Sequence, residues 1–95
     1  MSIKNLEPNG LWKNFYELTQ IPRPSKKEEK VVAFLKQFGE NLGLETIVDK
    51  VGNVIIRKPA TPGYEDRMGV VLQAHVDMVP QKNSDKVHDF EKDPI

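Results

Sequence analysis

No cysteine occurs anywhere in the 95 residues. That excludes disulfide stapling, a thiolate nucleophile and any cysteine-based zinc finger. A metal ion would have to sit on histidine and carboxylates. Net charge is absent as well, because 14 Lys+Arg balance 14 Asp+Glu. A nucleic-acid module normally carries a basic stripe and a membrane-binding surface a polybasic cluster, so neither partner is expected. Long apolar runs are missing: none approaches the roughly 20 residues of a membrane-spanning helix. The opening MSIKNLEPNGLW has no apolar segment of the signal-peptide kind. Nor is there a glycine-rich phosphate loop or a convincing Ser-His-Asp set. These exclusions leave the expectation of a cytoplasmic protein. The length suits one small domain, which buries roughly 60–65% of its unfolded surface.

What is present has clear periodicity. PNGLWKNFYELTQ, residues 8–20, predicts a helix with Leu11, Phe15 and Leu18 on one face, Trp12 and Tyr16 beside them, and Asn9 as N-cap. IPRPS follows as an extended connector, since proline breaks the helix and restricts its neighbour. Ser25-Lys26-Lys27-Glu28 has the form of a capping box and predicts a second helix opening at Ser25. Val31, Phe34, Leu35, Phe38 and Leu42 form its apolar stripe, with Lys27, Lys30, Lys36, Gln37 and Glu40 on the solvated face. Gly43 sits where a left-handed C-cap glycine belongs. Gly39, inside the helix, costs about 1 kcal/mol relative to alanine and would permit close packing.

The period then changes. Residues 44–49 and 53–57 have strand composition, and Gly52-Asn53 signals the turn of a β-hairpin. PATPGYEDR, residues 59–67, is a loop. Met68-Gly69-Val70-Val71-Leu72-Gln73-Ala74 is continuously apolar rather than alternating, which predicts a central strand covered on both faces. Residues 81–95 are polar and irregular.

That apolar run ends in His75-Val76-Asp77. If the strand persists, positions 75 and 77 project to the same side. Imidazole is a common metal ligand, and a ligating histidine usually donates its other ring N–H to a carboxylate or carbonyl. Sites in open α/β sheets lie at the carboxyl ends of strands. The ordinary alternative is that His75 ends a strand and Asp77 caps the turn before Pro80. His88, beside Asp89, repeats the pairing in a polar loop and reads as solvated.

LTQIPRPSKKEE, LGLETIVDKVGNVIIRKPAT, GYEDRMGVVLQAHVDMVPQKN and HDFEKDPI, taken together, resemble the N-terminus of the Xaa-His (aminoacyl-histidine) dipeptidases. These are two-zinc metallopeptidases akin to carnosinases, tripeptidases and aminoacylases. The resemblance covers most of residues 12–95. It implies an α/β fold: the N-terminal part of a three-layer α/β/α zinc-exopeptidase catalytic domain, with two helices, a β-hairpin and a central strand. Residues 1–95 would be an incomplete portion of that domain.

By the same resemblance His75 is a zinc ligand and Asp77 the catalytic-site carboxylate that orients its imidazole. Two Zn2+ ions per complete site are implied, with Co2+ or Mn2+ as substitutes. The implied substrate is a dipeptide, and the full-length protein is expected to form a homodimer through a separate lid domain. The remaining ligands and the general base would lie beyond residue 95, so the 95 residues alone are expected to be inactive. The competing expectation is a stand-alone, non-catalytic α/β module that binds a partner, or itself, through the apolar strand.

Overall fold

The computed structural model describes residues 2–95. Two helices and a two-stranded antiparallel sheet follow a short 3-10 turn at Ile3–Asn5: α1 (Asn9–Thr19), α2 (Glu29–Asn41), β1 (Glu45–Val48) and β2 (Val54–Arg57). The α/β character expected from the periodicity is present. The chain divides into two compact units, one made of residues up to Val31 with Asp77–Ile95, the other of Val32–Val76.

In the first unit, α1 begins one residue earlier than the N-cap expectation requires. Pro8, in extended conformation, takes the N-cap position and offers no side-chain bond. Asn9 is the first helical residue; its amide donates back to the Lys4 carbonyl at 3.0 Å. The Glu7 carboxylate does the capping instead, accepting the Asn9 N–H at 3.0 Å. An acidic group at a helix N-terminus also complements the helix dipole. Trp12 and Phe15 meet edge-on at 5.8 Å, and Lys4 lies over the Tyr16 ring. The predicted apolar face is only partly covered, for Leu11 and Phe15 are exposed while Thr19 is buried.

The capping box does not form. The chain turns at Ser25-Lys26, and α2 starts only at Glu29. Ser25 is engaged elsewhere, as described below. The Glu28 carboxylate reaches Lys26 N–H at 2.6 Å rather than that of Ser25. Lys26 has φ 72°, a left-handed conformation disfavoured for any residue with a Cβ. On the helix stripe Val31 is 1% exposed, whereas Leu42 lies outside the packed part. The C-terminal segment is more ordered than its polarity predicts. Asp89 accepts the Glu91 N–H on its carboxylate, and the Ile95 N–H reaches the Thr19 carbonyl at 2.9 Å. Lys27 pairs with Glu91, which raises the lysine's pKa through the side-chain hydrogen bond.

In the second unit, α2 ends as Gly43 predicts. Gly43 has φ 71°, its N–H reaches the Glu40 carbonyl, and the Leu44 N–H reaches that of Gly39. These two bonds make a Schellman motif, which only glycine enters without strain. β1 and β2 pair Glu45 with Arg57, Thr46 with Ile56, Ile47 with Ile55 and Val48 with Val54. Alternation puts Thr46, Val48, Val54 and Ile56 on one face and Ile47 and Ile55 on the other, exposed one. The turn is organised by Asp49. Its carboxylate accepts the N–H groups of Val51 and Asn53 and the Asn53 side-chain amide, at 2.8–3.0 Å.

At Gly39 helix and hairpin approach closely. A Cβ there would stand 2.1 Å from Thr46 Oγ1 and 3.2 Å from two Ile56 carbons. The helix-propensity cost of glycine is therefore offset by close packing.

The predicted central strand is not formed. Residues 68–77 belong to no helix or strand among the described residues. Met68, Val70, Val71 and Leu72 are between 82% and 94% exposed. A strand exists only as a partner in a ladder, and a central one also needs cover on two faces. No described segment supplies either.

Two predictions follow the packing. Gly39→Ala gains about 1 kcal/mol of helix propensity but incurs about 1–3 kcal/mol of overpacking. The expected result is a lower urea midpoint with unchanged slope; an unchanged or raised midpoint contradicts the packing role. The Asp49 carboxyl lies below the usual 3.8, chiefly through the Asn53 side-chain hydrogen bond. A lowered folded-state pKa stabilises above the unfolded value and loses that contribution as pH falls through the folded one. Protection of the Val51 and Asn53 amides, taken relative to their intrinsic exchange at each pH, is thus expected to fall as the pH drops below about 4, and to be low throughout in Asp49→Ala.

Candidate functional site

The site begins with the connector after α1. Arg23 folds back so that its guanidinium donates to the carbonyls of Leu18 and Ile21, the latter at 3.2 Å. Cations near a helix C-terminus satisfy carbonyls left over by the helix and complement its dipole. Pro24 is buried, and its fixed φ carries the chain on in extended form.

This extended piece meets the segment after Val76. The Met78 N–H donates to the Arg23 carbonyl at 2.9 Å, and the Ser25 N–H donates to the Met78 carbonyl at 3.1 Å. Together they form an isolated parallel bridge between Pro24 and Met78. The Ser25 hydroxyl donates to Asp77 Oδ2 at 2.5 Å, across 52 positions of sequence. The IPRPS stretch, expected to be a mere connector, is therefore the backbone partner of the residues around Asp77.

Asp77 is half-buried in this arrangement, and His75 is exposed, in the irregular stretch that precedes it. His75 does not end a formed strand, because the described residues form no strand other than β1 and β2. His88 differs from its solvated expectation: it is half-buried, and its ring meets that of Phe90 edge-on at 5.1 Å. Beside the Pro24–Met78 bridge lies a cavity of about 410 Å³ whose lining includes Arg23, Met78, Lys82, Lys86, His88 and Phe90.

The donor set can be tested for a metal. Zinc takes three or four protein ligands. Among the described residues no group of three or more His, Asp or Glu side chains is placed to hold one. The chain supplies at most one corner of a centre, and no reaction step runs through a metal held by these residues alone. Ser25 is the residue the sequence concealed. Its local pattern reads as a helix cap, and only its placement against Asp77 reveals another role.

Comparison with known proteins gives the family. No protein-family model matches the chain. The cytosol non-specific dipeptidase of Escherichia coli is 50% identical over 93 residues, which is 98% of this chain and 19% of that protein. A LysW-lysine/LysW-ornithine hydrolase of Pyrococcus abyssi is 39% identical over 66 residues, 67% of this chain and 18% of that one. Among solved structures, the crystal structure of aminoacylhistidine dipeptidase from Vibrio alginolyticus superposes with a TM-score of 0.94 at 49% identity. The match covers 100% of this chain and 19% of that one. The chain thus spans about a fifth of the length of the dipeptidases it matches. With half its residues identical and its backbone superposed from end to end, the chain is an aminoacyl-histidine-dipeptidase-like segment.

Proposed function

We propose that the chain is the N-terminal segment of a metal-dependent dipeptidase that hydrolyses Xaa-His-type dipeptides in the cytoplasm. Residues 1–95 form the opening of a three-layer α/β/α catalytic domain, and the apolar run Met68–Ala74 becomes a central strand when the rest of the domain pairs with it. His75 is a metal ligand, and Asp77 is the carboxylate that orients its imidazole. The complete centre holds two divalent ions, zinc by default. Bound metal would supply a polarised peptide carbonyl and a water made nucleophilic at neutral pH. The remaining ligands and the general base come from the rest of the parent protein.

One observation carries this reading: near-50% identity to two dipeptidases spans the whole segment, including the stretch that holds His75 and Asp77. The chemistry of the pair is compatible with it, since outer carboxylates fix the tautomer and ring direction of ligating histidines. No helix among the described residues is long and apolar enough to cross a membrane, which is consistent with the proposed location.

The test uses the full-length parent. His75→Ala is expected to lose bound metal and to lower dipeptide hydrolysis by roughly three orders of magnitude, the scale of several kcal/mol of lost transition-state stabilisation. The isolated 95 residues are expected to show no hydrolysis. Unchanged metal content and rate in His75→Ala, or hydrolysis by the isolated chain, would overturn the assignment.

A further inference from the structure

We infer that Ser25 is a positioning residue for the metal centre, holding the Asp77 carboxylate in the orientation from which it aims the histidine. The inference rests on the reading of His75 and Asp77 given above and adds to it a residue from the opposite end of the unit.

Three hydrogen bonds carry it. The Ser25 hydroxyl donates to Asp77 Oδ2 at 2.5 Å. The Ser25 N–H and the Arg23 carbonyl hold the two backbone groups of Met78, the next residue. The first bond acts on the carboxylate and the other two on the main chain that bears it. Rotation about χ2 of aspartate is soft, so backbone placement alone leaves the carboxylate plane undecided. A hydroxyl fixed on one oxygen removes that freedom and sets the direction in which the other faces. Backbone bridge and side-chain bond together determine both where the carboxylate is and how it is turned. Outer partners of this kind orient ligands and tune the affinity of the centre.

Two further observations separate this role from ordinary turn formation. Ser25 has the sequence of a helix cap, yet α2 opens only at Glu29, and both of its donors go to residues 77 and 78. The turn that presents it is also strained. Lys26 has φ 72°, and it is the one non-glycine residue with positive φ among those described. A conformation costly for any residue with a Cβ persists only where its surroundings enforce it, and such positions gather at functional sites. Here the enforcing contacts are the Glu28 carboxylate on the Lys26 N–H and the Ser25 bonds to the Asp77–Met78 segment.

The experiment uses the full-length parent loaded with Zn2+ or Co2+. Metal affinity is measured by chelator competition, and the Co2+ visible spectrum reports ligand geometry. Ser25→Ala is expected to weaken metal binding about 10-fold, the low end for an outer-sphere partner, and to shift the Co2+ bands. Ser25→Thr, which keeps the hydroxyl, restores both. Ser25→Val, with the shape of threonine but no donor, behaves like alanine and keeps the comparison readable if the alanine variant folds poorly. In an Asp77→Ala background, Ser25→Ala has no further effect.

A purely structural serine would lower the melting temperature of Ser25→Ala while leaving affinity and spectrum at wild-type values, and that result overturns the inference. Equal effects of Ser25→Ala with and without Asp77 overturn it as well. Failure of the underlying reading looks different, because metal content would then survive His75→Ala.

Discussion

The bridge between Pro24 and Met78 is the constraint on which the candidate site depends. The Arg23 carbonyl accepts from Met78, and Ser25 donates to Met78 and, across 52 positions, to Asp77. Around that bridge the local pieces find their places: Arg23 closes the end of α1, Pro24 is buried, and Asp77 is half-buried beside Ser25. Backbone hydrogen bonds to an extended neighbour suit this task. They fix register and direction at once, whereas an apolar contact fixes neither.

Local chemistry was legible in the sequence. The 3.6-residue period located both helices to within a few residues, and Gly43 marked the end of α2 because a left-handed C-cap needs glycine. The hairpin followed from strand composition around a glycine turn, although the agent that organises it, Asp49, was assigned to the strand. Gly39 inside a helix leaves close packing open in the sequence, and its partners Thr46 and Ile56 are visible only in the fold.

Non-local chemistry was not legible. Ser25 and Glu28 satisfy a local capping pattern, and nothing in a four-residue window shows that the serine has a better partner far along the chain. The apolar run at 68–74 has the composition of a strand, yet strand character belongs to a pair rather than to a segment. Of the two residues proposed for the metal centre, Asp77 is tied into its unit by Ser25, and His75 stands exposed two positions before it. Their assignment came from resemblance; periodicity offered only a three-residue pattern.

The interrupted make-up of the unit that contains Asp77 has a consequence for how the chain matures. That unit draws on the chain up to Val31 and again on Asp77–Ile95, with all of Val32–Val76 between. As a ribosome releases the polypeptide, α2 and the hairpin are complete while Ser25 still waits for its acceptor. Ring closure over such a span is entropically slow compared with a helix turn or a hairpin. The carboxylate proposed to steer the metal ligand is therefore installed late, after its neighbours have already taken their form.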